Sequence, residues 1–578
     1  MLLGDEDDMK RSSSMPFLVR ASNSFFTSAR QPFIRRVSTT DKLFGAYHDS
    51  PFHDLAPIAL PGLPSRVSKN NSVASSLDEL GAVFEGNADP NNLVVIEGGF
   101  SAPLLSSAGL AAVCAWNNGF LSGSMNTASP AMRRALGIAN GTAADDVTWG
   151  LCVSIFCLGA LLGCAAAATL ANGLGRKRAL TLTSAACTLG AALQALAALA
   201  PTCTVDCTAS LGVLCMLIGR VIAGCGSGAA TVVVPIYLGE LAPPHLRGAF
   251  GVMFQLACVC ALLTAQVLGL PAYLGTAQLW PLYLLGGVGI PTLLQFCLRD
   301  GLLESPQWLV SRGAFESQEA ELVLLRLRGV SELDFGEARN AVTKELDHMQ
   351  IAAMSAGTQS GSFLRLLQDG VHRPELRAAL LISVCCAMAQ QFSGINNAFN
   401  FSSTFLAANG MGPSTVTLIA VLMNVGNVAI TLLSAWLMDI AGRRSLLLYS
   451  TGAMVASICV LSFALTHPGQ TWTAPLAICG IVAFVCAFGI GMGPVPWLLP
   501  AELFPADKVA SGSALAASCN WLANFVCGLV FLPLAAALGG LCFMPSVFIL
   551  VPFALFVASR VPETRGKSVQ QILSELKR

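Results

Sequence analysis

Charge is what this sequence has least of. Only 11% of its residues are Asp, Glu, Lys or Arg, where a soluble domain averages about 25%. Its 33 basic residues balance 33 acidic ones, so the formal charge is zero and the basic excess of a nucleic-acid binder is missing. Hydrophobic residues make up 54% of the 578 positions, and the mean hydropathy is +0.65. The polar shell that a soluble globule of this length needs cannot be assembled from such a composition. The same apolar excess excludes fibrous, disordered and small secreted classes. What remains is an integral membrane protein. Also missing are a His/Cys/Asp cluster at metal spacing, a Gly-rich phosphate loop after a strand, and a nucleophile–base pair. No enzyme, metal or cofactor is expected.

The 20 Cys do not form a disulfide framework. All but Cys203 and Cys207 sit in apolar runs, where Cys behaves as a small hydrophobe. These two share a short polar loop, either bridged or as free thiols. Residues 1–95 are polar and Ser-rich, with no run long enough for a signal peptide or a span. They read as a disordered cytosolic tail. Its Arg-flanked serines, Arg11-Ser12-Ser13-Ser14 and Arg35-Arg36-Val37-Ser38, suit phosphorylation equally well as an unregulated tail.

From about residue 100, apolar runs of roughly 20 residues recur, enough to cross a core about 30 Å thick. The expected spans are 101–124, 147–171, 178–199, 210–234, 250–272, 279–298, 376–404, 414–438, 446–466, 474–499, 511–535 and 541–559. One charged insert, 300–374, divides them into six and six. The expected organisation is therefore a tail 1–95, a bundle 96–299, a helical linker 300–374, a bundle 375–560 and a short tail 561–578. Arg176-Lys177-Arg178, Arg247, Arg443-Arg444 and Lys508 follow even-numbered spans. The positive-inside rule puts those loops, both termini and the insert in the cytosol. Arg133 and Arg134 oppose the rule but are outnumbered, and the sequon Asn140-Gly141-Thr142 falls on the outer side.

An internal repeat is visible: Gly175-Arg176-Lys177 recurs as Gly442-Arg443-Arg444, and Glu240 with Arg247 recurs as Glu502 with Lys508, each six spans on. Repeated halves suggest a transporter that rocks about a central site. Polar side chains at membrane depth face a cavity or a partner. The spans carry Gln255 and Gln266, Gln390, Gln391, Asn396 and Asn397, Asn424 and Asn427, Trp497, and Asn520, Trp521 and Asn524. Amides both donate and accept, and an aromatic face suits the apolar side of a sugar ring. Taken singly, each amide could equally make an interhelical hydrogen bond.

Further motifs stand in order: Gly219-Arg220, Pro235-Ile236-Tyr237-Leu238-Gly239-Glu240, Leu246-Arg247-Gly248, Glu304-Ser305-Pro306, Gln390-Gln391-Phe392-Ser393-Gly394-Ile395-Asn396, Gly493-Pro494-Val495-Pro496-Trp497, Glu502-Leu503-Phe504 and Pro562-Glu563-Thr564-Arg565-Gly566. With the repeated Gly-Arg turns, over about residues 100–570, they resemble the sugar-porter branch of the major facilitator superfamily, and most closely the facilitative hexose transporters. The small-residue and Cys-rich runs look like a divergent protist member. The resemblance implies an all-α membrane protein of twelve helices in two six-helix halves. It implies hexose contacts at Gln255, Gln390, Gln391, Asn396, Asn427, Trp497 and Asn520, with Phe488 as an aromatic lining residue. It implies an inner salt-bridge network of Arg176, Arg178, Glu240, Arg247, Glu304, Arg443, Arg444 and Glu502, which holds the cytosolic side closed and breaks when the halves rock.

Four departures stand out. Gly489 occupies a position where many animal relatives have a sugar-contacting Glu. Asn400 and Phe401 replace a common Tyr pair at the outer gate. Val509 replaces an Arg of the inner network, for which Lys508 is a neighbouring substitute. Leu121 occupies the position of an Asp that titrates in proton-coupled relatives, near Arg220. None of the six His lies mid-span, so a proton relay has no carrier. Arg220 then reads as a structural donor to backbone carbonyls. The expected function is facilitative uniport of a hexose, D-glucose first, across the plasma membrane by a monomer in the lipid bilayer. A proton-coupled sugar or polyol symporter and a non-transporting sugar sensor are the alternatives.

Overall fold

The computed structural model describes residues 100–138, 142–199, 211–331, 336–356, 363–399, 412–467, 469–505 and 507–577. The tail 1–95, the sequon at Asn140, the Cys203–Cys207 loop, and Asn400 and Phe401 lie outside them. Every regular element among the described residues is helical. Twelve helical stretches are long and apolar enough to cross a membrane. They are α1 Ala102–Thr127, α2 Val147–Leu174, α3 Arg176–Leu199, α4 Leu211–Leu241, α5 Pro244–Leu268, α6 Trp280–Cys297, α7 Pro374–Phe399, α8 Ile419–Met438, α9 Arg443–Leu465, α10 Thr473–Leu503, α11 Val509–Phe531 and α12 Gly539–Arg560. Large apolar side chains stay exposed around them, including Leu162, Leu189, Leu293, Leu529 and Phe548. In water such a surface would aggregate; in lipid it is the solvated face.

The two sets of six repeat one packing scheme. In the first, α1 packs on α5, α2 on α4 and α3 on α4; in the second, α7 packs on α11, α8 on α10 and α9 on α10. The halves meet where α2 packs on α11 and α5 on α8. Small residues set the approach within a half. A Cβ on Gly163 would lie 2.0 Å from the carbonyl oxygen of Cys225, and one on Gly228 would lie 1.9 Å from that of Ala160. Backbones in contact are how lipid-embedded helices associate without a hydrophobic driving force.

Helix boundaries differ from expectation in three informative ways. First, α3 and α9 start at Arg176 and Arg443, directly after a single glycine, so the basic residues occupy the first helical turn rather than a loop. Gly175 and Gly442 take φ of 90° and 80°, a left-handed conformation that favours glycine. Second, α4 continues through Pro235 to Leu241. Third, α7 and α10 are broken. The first segment of α7 ends at Phe392, and Gly394 turns with φ 84°. The segments of α10 end at Ile490 and resume at Val495.

Between the halves, helices Pro306–Arg312, Ala314–Arg328, Glu337–Ala356 and Phe363–His372 form the linker. Arg328 ties it to the first half, donating to Glu345 at 2.6 Å and to the Leu241 carbonyl at 2.9 Å. After α12, Ser568 caps helix Val569–Leu576, whose Ile572 is buried, so this end is docked rather than free.

Gly163→Val is expected to destabilise the purified protein by about 3 kcal/mol through overpacking against α4, read as a lower melting temperature in detergent. Gly452→Ala, with open space around it, is the control that should melt like the unaltered chain.

Candidate functional site

A cavity of about 700 Å³ lies between the halves. Its wall includes Gln255, Gln390, Gln391, Asn396, Asn427, Phe488, Trp497 and Asn520, the full set the sequence picked out for substrate. At one end it reaches Ser129, Pro130 and Arg133, just beyond α1, and Trp149 at the start of α2. No Asp or Glu is among the described lining residues.

The breaks in α7 and α10 build the polar wall. Gln390 donates through Nε2 to the carbonyls of Met492 and Gly493 at 2.9 and 2.8 Å, which the break in α10 has released. Two serines complete that break: Ser434 Oγ donates to the Ile490 carbonyl at 2.5 Å, and Ser450 Oγ accepts from the Met492 N–H at 3.0 Å. Gln390 Oε1 accepts from Asn520 Nδ2 at 2.7 Å, and Gln391 Nε2 donates to Asn520 Oδ1 at 2.9 Å. Asn396, carried past the turn at Gly394, donates to Gln391 Oε1 at 2.6 Å. The amides are thus both cavity wall and interhelical glue, the two roles the sequence left open. Asn427 Oδ1 is buried without a partner, and Gln255 makes no hydrogen bond to a described residue.

On the same wall α5 and α10 meet. Phe254 and Trp497 pack with ring centroids 5.3 Å apart. Gly251 faces Leu498, whose Cδ1 lies 2.4 Å from where a Cβ would stand. Gly489 also has a packing reason. A Cβ there would meet Ile430 Cγ2 at 2.7 Å and Asn427 Oδ1 at 3.1 Å, so α8 occupies the room a Glu would need.

Arg220 is 2% exposed and has no carboxylate partner among the described residues. It donates to the carbonyls of Leu121, Cys152 and Val153 at 2.9, 3.1 and 3.1 Å, and its Cζ lies 4.2 Å over the Phe156 ring.

The charged end of the molecule differs first from the expected network in that its Arg176–Glu240 and Arg443–Glu502 ion pairs lie within the halves. Arg176 binds Glu240 at 2.7 and 2.9 Å, and Arg443 binds Glu502 at 2.8 and 3.1 Å. Each Glu sits at the end of the fourth helix of its own half, so it moves with its arginine. Glu304 accepts from the Arg176, Lys177 and Ser305 N–H groups. This supplies the anion that a helix N-terminus crowded with Arg and Lys would otherwise lack. Burial pushes the Glu304 carboxyl above its usual range, against the pull of those donors. Glu563 does the same for Arg443 and Arg444, at 2.8 and 3.1 Å. The sequence motif Pro562-Glu563-Thr564-Arg565-Gly566 contains it, but the expected network does not. The repeat was the signal, since Glu304-Ser305 follows the sixth span and Glu563-Thr564 the twelfth.

The remaining expected members sit differently. Arg444 donates to the Ala558 carbonyl at 2.5 Å. Arg178 and Arg247 are exposed and form no ion pair with described residues, although Arg247 is within electrostatic reach of Glu345 and Glu502. Lys508 pairs with Asp369 of the linker, and Asp507 lies 3.6 Å away. It therefore ties the second half to the linker and does not replace the missing Arg.

A family profile described as "Sugar (and other) transporter" matches residues 104–576. The human solute carrier family 2 facilitated glucose transporter member 4 is 37% identical over 429 residues, covering 73% of this chain and 78% of that protein. The facilitated glucose transporter protein 1 of Caenorhabditis elegans is 33% identical over 440 residues, covering 75% and 81%. Among solved structures, a proton:xylose symporter of the major facilitator superfamily bound to 6-bromo-6-deoxy-D-glucose superposes with a TM-score of 0.70 at 24% identity, covering 83% of this chain and all of that one.

Two outcomes follow from the geometry. Arg443→Ala leaves the half-buried Glu502 with Thr564 as its remaining hydrogen-bond partner, at 2.6 Å, and should cost about 3 kcal/mol of thermal stability. Adding Glu502→Ala should recover part of it in a melting-curve double-mutant cycle. Strict additivity would deny the coupling. Gly489→Glu should lose the monodisperse peak on size-exclusion chromatography, and Ile430→Ala in the same chain should bring it back; a monodisperse Gly489→Glu protein would contradict the packing account.

Proposed function

The chain belongs to the sugar-transporter family of the major facilitator superfamily, and on that premise we propose that it is a facilitative hexose uniporter with D-glucose as its first substrate. The observation that carries this reading is the cavity wall: amides from α5, α7, α8 and α11, aromatic faces from α10, and no carboxylate among the described lining residues. A hexose presents hydroxyls that donate and accept, carries no charge, and has an apolar ring face. Amides answer the hydroxyls, while Trp497 and Phe488 answer the ring face.

Uniport rests on the missing proton carrier. Leu121 puts an apolar side chain where an acid would stand, and only its carbonyl engages Arg220. With three carbonyls and an aromatic face, Arg220 needs no titrating partner.

For the transport cycle we infer that the bundles 96–299 and 375–560 rock about this cavity. The Arg176–Glu240 and Arg443–Glu502 pairs keep the inner turn of each bundle rigid. The floor made by Phe254, Trp497, Gly251 and Leu498 then separates to open the charged side. The outer side closes over Asn126, which donates to the Phe399 carbonyl at 3.1 Å across the halves. In this reading the linker 300–374 and the tails 1–95 and 561–578 face the cytosol, and the membrane is the plasma membrane.

The test is labelled D-glucose uptake into proteoliposomes with and without an inward proton gradient. Uptake should stop at equal concentrations in both cases, and Gln391→Ala with Trp497→Ala should reduce it at least about tenfold, the equivalent of 1.4 kcal/mol. Accumulation driven by the gradient would overturn uniport. No uptake of any hexose would overturn the hexose reading in favour of a polyol carrier or a sensor.

A further inference from the structure

Gln390, Gln391, Asn396 and Asn520 are engaged with one another. Among the described lining residues two buried carbonyl oxygens, one in each half, have no partner: Oδ1 of Asn427 on α8 and Oδ1 of Asn118 on α1. Asn427 belongs to the substrate wall described above. Asn118 does not, and its surroundings fix how it points.

Asn118 is 8% exposed and lines the cavity. Its neighbour Gly119 brings α1 onto α5 at backbone contact, since a Cβ there would lie 2.2 Å from the Cys258 carbonyl oxygen. At that distance Cys258 Sγ donates to the Ala115 carbonyl at 3.1 Å. Its proton is then spent, and the sulfur has only lone pairs left to offer. Asn118 Nδ2 donates to it at 3.5 Å. The amide is thereby oriented with its NH₂ on the sulfur and its oxygen on the other side. An amide oxygen buried without a donor costs about 1–3 kcal/mol. Gln255 stands one helical turn before Cys258 on the same face of α5, and it lines the same cavity as Asn118.

We propose that Asn118 Oδ1 accepts a hydrogen bond from one ring hydroxyl of the transported sugar, which makes α1 a specificity-determining wall of the site. This rests on the hexose reading above and deepens it. Asn427 and Asn118 then take the sugar from opposite halves, one acceptor each, and a hydroxyl-bearing ligand satisfies both while joining the halves. Ligands without a donor at that position leave the oxygen unpaired and bind more weakly. Asn117 supplies a contrast. Its Oδ1 is also unpartnered, but its Nδ2 is bound to Thr292 at 2.9 Å and it does not line the cavity.

The experiment measures uptake in proteoliposomes for D-glucose and the 2-, 3-, 4- and 6-deoxy-D-glucoses plus 1,5-anhydroglucitol, with the unaltered chain, Asn118→Ala, Asn118→Ser and Asn117→Ala. Asn118→Ala is expected to raise the half-saturating glucose concentration about fivefold at little cost in maximal rate. For one deoxy sugar the unaltered chain and Asn118→Ala should be equal, because the hydroxyl that Asn118 reads is already gone. Asn118→Ser keeps an oxygen acceptor and should fall between; it also carries the cycle if the alanine variant is not monodisperse. Asn117→Ala should shift all sugars alike. A glucose affinity unchanged by Asn118→Ala, or a penalty equal for every sugar, overturns the assignment while hexose uptake stands. Absence of uptake by the unaltered chain overturns the transport reading, and this one with it.

Discussion

A backbone carbonyl released inside a membrane must find a donor, because no water is there to supply one. That constraint organises this molecule. The break in α10 frees the carbonyls of Ile490, Met492 and Gly493. Three side chains from three other helices take up the break: Gln390 from α7, Ser434 from the end of α8, and Ser450 from α9. Gln390 thereby loses its freedom, and its oxygen is presented to Asn520 and Gln391. The polar wall of the cavity is the outer layer of a device that keeps a broken helix satisfied. Discontinuous helices of this kind are where transporters place their sites, and here the reason is visible atom by atom.

The second organising fact is close packing of small residues. Gly163 against Cys225 and Gly228 against Ala160 put α2 and α4 at backbone contact, and Gly119 against Cys258 does the same for α1 and α5. Helices this close leave little room for a larger side chain at those glycines. The inner turns reinforce that. Gly175 and Gly442 adopt nearly the same backbone angles, and a Cβ on either would lie 2.4 Å from the carboxylate of Glu304 or Glu563. The charges at this end hold each half to itself, and the linker, through Arg328 and Lys508, holds to both. In the proposed rocking motion the contact that parts is the apolar one between α5 and α10, while the Arg176–Glu240 and Arg443–Glu502 pairs lie within the halves.

Charge is placed sparingly at the centre as well. Arg220 is a buried cation whose partners among the described residues are carbonyls and an aromatic face. The cavity wall is polar chiefly through amides, with serines and the cations Arg133 and Arg220 beside them and no acid among the described lining residues. Gly489 belongs to the same economy of space: its missing side chain lets α8 bring Asn427 to the wall.

The sequence by itself determined the class, the number of spans, the two-fold repeat and the identity of the polar residues. These are one-dimensional properties: a run of apolar residues spans lipid whatever it packs against, and an amide at membrane depth must face a cavity or a partner. For that reason, and with the family resemblance to set them in register, the eight residues from Gln255 to Asn520 could be placed on a cavity wall, where the structure has them; their contact with a sugar is the proposal. Only the tertiary structure decided how they are used. No spacing reveals that Gln390 is committed to the carbonyls of Met492 and Gly493, because that bond joins residues about a hundred positions apart. Nor could it reveal that Arg176 and Arg443 bind within their halves, or that Asn118 is left with a free oxygen. A hydrogen bond depends on the direction and distance of both partners, and those are set by how helices pack, which the order of residues along one helix does not encode.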